Sequence, residues 1–365
     1  MPGITAAEAA ARIAVLAAAP RPAGGAAEAS ARAVCASALR EQGFSTEEIP
    51  FEYSSLPGRW ATPVIGFLSI FALALVSREG RQGDAAGALA LLVFFLTVLG
   101  WCVRWIGTTG VLRLPWGRAS SINLVATRGT PRLWLMAHLD SKSQPVPIGL
   151  RALGISITLL AWLAASALAL LQLGTGRGVQ LWPWITTAAL LAALPVMASV
   201  VGSRSPGALD NASGVAAVLL IAGALAPAIS VGVVLTSAEE LGLAGARAWG
   251  LGQRPGVAIN FDGLDDSGPL RLSWSGARPT DLLARIERSA ALVGVTARAQ
   301  RLPPGILTDG VALAGSGWRV VTVSKGGIGT LARIHTRRDR ASALAGIGVT
   351  EAASMVSRML AELDP

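Results

Sequence analysis

Apolar and polar positions along most of this chain alternate as they do in a soluble α/β protein, but four stretches break the pattern. Residues 61–77, 85–103, 152–173 and 179–201 contain no acid or base. About 20 helical residues, each rising 1.5 Å, cross a hydrocarbon core roughly 30 Å thick, so each stretch is a candidate span, the first marginal in length. Helices buried in a soluble core normally keep a polar stripe, which these lack. Short polar loops, 78–84 and 174–178, join the stretches in pairs, so two membrane hairpins are expected.

Outside the hairpins, short runs rich in β-branched and apolar residues predict strands at 44–53, 120–129, 132–141, 230–240, 256–260, 269–274 and 318–324. Helical periodicity predicts helices over 8–18, 26–42, 211–225, 280–292 and 341–363, and the residues after Glu240 suit the start of another. Such alternation suits a sheet covered on both faces. Strand and helix resume on either side of each hairpin, so one discontinuous domain of 1–58, 108–149 and 203–365 is expected, with hairpins at 59–107 and 150–202 inserted into it.

Composition sharpens this picture. Over the 365 residues, 52% are hydrophobic and the mean hydropathy is +0.54, too apolar for an ordinary soluble enzyme. The N-terminus has no basic leader, and Glu8 and Arg12 interrupt its apolar stretch, so no signal peptide is expected. Four crossings place both termini and the segment between the hairpins on one side. Arg59, Arg104, Arg113, Arg118, Lys142, Arg151 and Arg204 flank the spans there, against Arg78, Arg81 and Arg177 opposite, which predicts a cytoplasmic main domain on a bacterial inner membrane. The net charge of +9 is scattered arginine; it suits an anionic lipid bilayer as partner and contains no aromatic-interleaved basic module for nucleic acid. Cys35, in a predicted helix, and Cys102, at the end of a span, imply no disulfide framework.

The candidate chemistry lies at strand ends. "VGVVLTSAEELGLAG" places Glu239 and Glu240 side by side where an apolar strand breaks into a glycine-bounded turn, the edge at which α/β sheets bind ligands. His138, one of only two histidines, closes a strand as "LMAHLDS", with Asp140 able to hold its second ring nitrogen. Asp210 stands in "SPGALDNASGVA" before a helix it would cap, Asp262 follows a short strand in "VAINFDG", and His335 lies in "LARIHTRRDR". Each alone has an ordinary structural explanation.

Taken in order, "AHLDS", "PGALDNASGVA", "SAEELGLAGARAW", "NFDG" and "ARIHTRRD" resemble the aminopeptidase-type zinc metallopeptidases of peptidase family M28, which include bacterial leucyl aminopeptidases and aminopeptidase Y. The resemblance covers nearly all of the chain outside the hairpins. It implies a three-layer α/β/α zinc-exopeptidase fold with a mixed sheet, here carrying four inserted transmembrane helices, and a co-catalytic pair of zinc ions. His138 and Asp262 would bind one ion, Glu240 and His335 the other, and Asp210 both; Glu239 would be the general base, and Asp140 would support His138. The Asp210–Asn211 bond is expected to be cis, as is frequent in that family. The reaction implied is hydrolysis of an N-terminal peptide bond.

Two departures stand out. Gly310 follows Asp309 where many relatives have a histidine, and Ile334 precedes His335 where some have a tyrosine; the chain's only tyrosine is Tyr53. The second hairpin replaces a short loop, and about ten residues on each side, at roughly 3.4 Å apiece, keep the site within about 35 Å of the bilayer. A membrane-associated peptide is therefore the expected substrate, and Arg333, Arg337, Arg338 and Arg340 are candidates to contact lipid phosphates or a substrate carboxylate. The alternatives are a glutaminyl-cyclase-like single-zinc acyltransferase, a non-catalytic membrane scaffold on a peptidase fold, and a transporter. The last is disfavoured because the spans contain no ionisable residue.

Overall fold

A computed structural model describes residues 3–362, which form two compact units. One comprises residues up to Ser55, Val111–Ser143 and the chain from Ser203 onward; the other comprises Leu56–Gly110 and Gln144–Gly202.

The first unit is built on eight strands: β1 (Ser45–Ser54), β2 (Arg118–Arg128), β3 (Trp134–His138), β4 (Val231–Thr236), β5 (Val257–Leu264), β6 (Leu270–Trp274), β7 (Ala297–Arg301) and β8 (Arg319–Lys325). Their order is β1-β2-β4-β3-β5-β8-β6-β7. The middle four, β4, β3, β5 and β8, run parallel, while β2 and β6 flank them antiparallel. All six residues of β4 are buried, as expected of a strand covered on both faces.

On one face lie Ala6–Leu16, Ala26–Glu41, Ser213–Ala224, Thr280–Leu292 and Ile347–Ala361, sharing a core with Leu135, Val233, Ile259 and Val323. Ser213–Ala224 has no polar face, and every residue from Ser213 to Ala222 is buried, so it packs as the central helix of that layer. On the other face Ala244–Leu251 and Asp309–Gly315 pack on Met136, Val234 and Val320 through Trp249 and Leu313. This is the expected three-layer α/β/α arrangement with a mixed sheet.

Three expectations change. Strand β4 stops at Thr236, three residues before Glu239, and β5 runs on to Leu264 through an irregularity after Phe261. The helix expected over 341–363 starts at Ile347, after a single 3₁₀ turn, because Gly346 (φ 87°) interrupts it; Leu363 lies outside the described residues. Strand β7 and the helix Asp309–Gly315 were not predicted. "ARAQR" is a polar edge strand whose apolar face is only the half-buried pair Ala297 and Ala299, and "DGVALAG" is barely two helical turns.

The second unit is a bundle of the four apolar helices. Leu56–Arg81, Ala85–Arg113, Ile148–Thr175 and Val179–Met197 are each long and apolar enough to cross a membrane. The marginal first stretch is thus part of a 26-residue helix. Small residues, among them Ala72, Ala88, Ala165, Ala169 and Ala189, line the packed interior. Large ones such as Phe67, Phe71, Phe94, Leu163 and Leu191 face outward. Gln172 is buried there with its amide satisfied: Nε2 donates to the Gly80 carbonyl (2.8 Å) and Oε1 accepts from Trp182 Nε1 (2.8 Å).

Candidate metal centre

The six residues singled out by the sequence converge at the carboxyl ends of the parallel strands. His138 is the last residue of β3, Asp262 lies in β5, Glu239 and Glu240 sit in the turn after β4, Asp210 precedes Ser213–Ala224, and His335 follows a short helix after β8. Asp210 is at the centre: its Oδ1 lies 3.1 Å from His138 Nε2 and its Oδ2 lies 2.9 Å from His335 Nε2. Asp262 Oδ1 is 3.8 Å from His138 Nε2, and Glu240 Oε1 is 3.4 Å from His335 Nε2. Glu239 Oε2 also approaches His138 Nε2, but at 4.0 Å it is the most distant of the three carboxylates around that nitrogen.

Despite these approaches, His138 Nε2 and Glu240 Oε1 are buried and have no aligned hydrogen-bond partner among the described residues. These two atoms are thus left available, and each stands in a group of ligand atoms close enough together to share a cation. Two imidazoles with several carboxylates are a donor set suited to zinc. His138 Nδ1 is held by the Asp140 backbone carbonyl (3.1 Å), which fixes the ring orientation.

The Asp140 carboxylate has a second task beside its approach to the His138 ring. It stands 3.6 Å from His138 Nδ1 but accepts hydrogen bonds from the backbone N–H groups of Glu239 (3.1 Å) and Glu240 (3.2 Å). The turn is also tied at both ends by Asn123 on β2, whose Oδ1 accepts from Ser237 N (3.0 Å) and whose Nδ2 donates to the Gly245 carbonyl (2.9 Å). A Cβ at 245 would lie 2.3 Å from the Ser237 carbonyl oxygen, so only glycine closes the turn this tightly. Ala238 (φ 54°), Leu243 (φ 59°) and His335 (φ 61°) adopt the left-handed conformation that non-glycine residues rarely take. Two of the three are neighbours of the glutamates or a candidate ligand itself, the places where such strain concentrates.

Asp210 is held from below. Its own N–H (3.1 Å) and that of Leu209 (2.6 Å) donate to the Asp339 carboxylate, and the Asp210–Asn211 peptide bond is cis. Asn211 anchors the segment to β5, donating to the Phe261 carbonyl (2.9 Å) one residue before Asp262.

Burial and neighbouring charge pull these groups apart in acidity. Burial alone would raise the Asp210 carboxyl, but the two imidazoles outweigh it and hold its pKa well below the usual range. Burial would likewise raise Glu240; the Lys142 ammonium beside it brings its pKa down to about 2. Glu239 has no such cation, and burial, with Glu240 and Asp262 nearby, pushes it well up despite His138. Burial also raises Asp262, and it takes Asp309 to about 7, one of whose oxygens accepts from Thr236 Oγ1 while the other is buried without a partner. A pocket with this surplus of carboxylates favours a bound cation.

Sequence reasoning missed three participants. Lys142, counted there among the basic residues flanking the spans, is ion-paired with Glu240 Oε2. Asp339 lies in an arginine run, and Glu28, buried in the Ala26–Glu41 helix, accepts from Ser237 Oγ next to the turn. The lone acid within "TRRDR" was a usable signal for Asp339; Glu28 had none. Arg333 leaves the proposed basic cluster, being paired with Asp265, whereas Arg337, Arg338 and Arg340 are exposed. The departure at Gly310 has a steric reason: a Cβ there would meet Thr322 Oγ1 at 2.5 Å.

Known proteins bear on this geometry. The family model for peptidase family M28 matches residues 188–360, which include every candidate site residue except His138 and Asp140. A zinc aminopeptidase from Bacillus subtilis superposes with a TM-score of 0.58 at 14% identity, covering 99% of this chain and 96% of its own. An aminopeptidase from Aneurinibacillus sp. strain AM-1 gives 0.56 at 14%, covering 97% and 93%. A glutaminyl cyclase from Bacteroides thetaiotaomicron, bound to N-acetylhistamine, gives 0.59 at 12%, covering 100% and 99%. At such identities the likeness is one of fold. No curated protein matches the sequence. The match over residues 188–360 thus carries the likeness to peptidase family M28, and the solved structures carry the likeness of fold.

Proposed function

We propose that this chain is a membrane-anchored aminopeptidase with two zinc ions, acting on peptides presented near the bilayer. The observation that carries the reading is the Asp210 carboxylate, set between His138 and His335 with one oxygen toward each. His138 and Asp262 would hold one ion, Glu240 and His335 the other, with Asp210 shared. Bound there, zinc would supply Lewis acidity toward a substrate carbonyl and lower the pKa of a water.

The remaining work falls to the chain's own groups. Glu239, adjacent to these ligands yet the most distant of the three carboxylates around His138 Nε2, would take the proton of the attacking water and deliver it to the departing amine. Asp140, through the two backbone N–H groups it accepts from, would keep Glu239 and Glu240 aimed at their separate targets. Residues 139–147 link His138 to the apolar helix starting at Ile148, and residues 198–209 link the one ending at Met197 to Asp210, and tethers this short support a substrate met at the bilayer.

The test compares wild type with Glu239→Gln in metal content and in turnover of a panel of aminoacyl substrates. Retained metal with turnover reduced about 10² to 10⁴-fold is expected; an active variant removes Glu239 as the base. The likeness to a glutaminyl cyclase supports a second reading, a single-zinc acyltransferase, against which the additional donors His138 and Asp262 weigh. One ion per chain with cyclisation of N-terminal glutamine would favour it.

A further inference from the structure

Lys142 is the one lysine or arginine whose side chain is ion-paired with a candidate ligand among the described residues. It lies four residues after His138, and its ammonium meets Glu240 Oε2 while only 19% of the side chain is exposed. Glu240's other oxygen, Oε1, faces His335 and is buried without a hydrogen-bond partner. The two oxygens of this carboxylate are therefore divided: one is held by Lys142, and one is left for an ion.

The two halves of the centre are unequal in charge. Around His138 stand Asp262 and Glu239, neither of which has an ion pair with lysine or arginine among the described residues. Around His335 stands Glu240, whose charge Lys142 already compensates. Asp210 serves both. A cation entering the His335 half gains a ligand that is half spent and approaches a fixed ammonium, while one entering the His138 half meets neither cost. Even at an effective dielectric near 20, repulsion between an ammonium and a divalent ion a few ångströms apart exceeds about tenfold in affinity.

We propose that Lys142 is a positioning residue that sets the affinity of the Asp210–Glu240–His335 half of the centre, holding Glu240 to one free oxygen and making that half the weaker site. The proposal rests on the two-metal reading of the cluster and is independent of which bond the protein cleaves. Removing the ammonium has two consequences that favour the ion, set against a Glu240 carboxylate that then holds a proton more readily. The repulsion goes, and Glu240 is left as a buried carboxylate whose best remaining partner is the ion.

Metal-free full-length protein in detergent micelles is titrated with Zn²⁺ against a chromophoric chelator, and with Co²⁺ by visible absorption, for wild type, Lys142→Met, Lys142→Gln and Lys142→Arg. Two steps separated by at least about tenfold are expected for wild type. In Lys142→Met and Lys142→Gln the weaker step tightens by about tenfold or more while the tighter one is unchanged, and Lys142→Arg restores the wild-type separation. General loss of structure would weaken both steps, so selective tightening of one is specific to the proposed role. Two equal steps in wild type, or a second step no tighter in the neutral variants, overturn the proposal and leave the hydrolase reading standing. Two separated steps in a protein that hydrolyses no peptide leave the proposal standing and remove the hydrolase reading; absence of metal binding overturns both.

Discussion

At Asp140 a single carboxylate determines where two others point. Its oxygens each take one backbone N–H, from Glu239 at 3.1 Å and from Glu240 at 3.2 Å, while its carbonyl fixes His138. Asp140→Asn keeps the volume and the carbonyl but replaces one acceptor by a donor facing an N–H. Metal affinity, measured by chelator competition, is expected to fall about 10 to 100-fold, as for other partners that orient ligands. Wild-type affinity in this variant would show that the turn holds without it. Glu28 supplies a different residue-scale signature. Burial, reinforced by the Asp140 charge, pushes its carboxyl up from 4.5 to about 7. The folded protein therefore holds this proton more tightly than the unfolded chain does. The stabilisation is full below the unfolded value near 4.5 and is lost as pH rises to about 7, above which it stays constant. Thermal midpoints of metal-free wild type and Glu28→Gln should diverge over that window, wild type losing ground as pH rises, and run parallel above it. Midpoints parallel from pH 4.5 upward would contradict the buried, protonated carboxyl.

Among the elements, the central helix Ser213–Ala224 couples packing to the site. Gly214 faces the end of β5, where a Cβ would lie 2.5 Å from the Phe261 carbonyl oxygen and 2.3 Å from Asn211 Oδ1. Gly214→Ala must displace either the strand that carries Asp262 or the segment that carries Asp210. Overpacking of this kind costs about 1 to 3 kcal/mol, so a lowered thermal midpoint together with weakened metal binding is expected. Normal metal binding in a destabilised variant would separate the helix from the centre. The elements also explain what was legible in the sequence. Strands such as Val231–Thr236 and helices such as Thr280–Leu292 follow from apolar periodicity, which is a local property. The converging residues were legible through their order along the chain, which resembles that of a known family, while each taken alone had an ordinary structural explanation. Lys142 and Glu28 were not, since their partners Glu240 and Ser237 lie far along the chain and neither residue breaks a local pattern. Edge strand Ala297–Arg301 escaped for the complementary reason: its pairing with β6 comes from the sheet, not from its own side chains.

The whole chain holds a precise centre in a polypeptide twice interrupted by apolar hairpins, and the joints of the first unit show how. Arg21, buried, donates to the carbonyls of Leu139 (2.7 Å), Pro206 (2.7 Å) and Gly207 (2.9 Å), clasping the segments on either side of the second insertion. Ser141 Oγ adds a bond to the Ser205 carbonyl (3.0 Å), and Ser143 Oγ accepts from Arg204 N (2.9 Å). At the first insertion Ser54 Oγ donates to the Trp116 carbonyl (2.7 Å) and Ser55 N to that of Gly117 (2.9 Å). His138 and Asp210 thus keep their spacing through hydrogen bonds that bypass the inserted helices. The ion pair of Lys142 with Glu240 alters the charge argument for orientation, since that lysine no longer counts as a flanking residue. Arg118, paired with Glu52, drops out by the same criterion, which leaves Arg59, Arg104, Arg113, Arg151 and Arg204 flanking the spans on the side expected for the large unit, against Arg78, Arg81 and Arg177 on the other, so the charge bias still supports the expected cytoplasmic placement. A fluorescent protein fused after the last residue should therefore mature and fluoresce, and alkaline phosphatase inserted within 174–178 should be active. The reverse pattern would place the site outside the cell, and with it the pool of peptides from which a substrate is drawn.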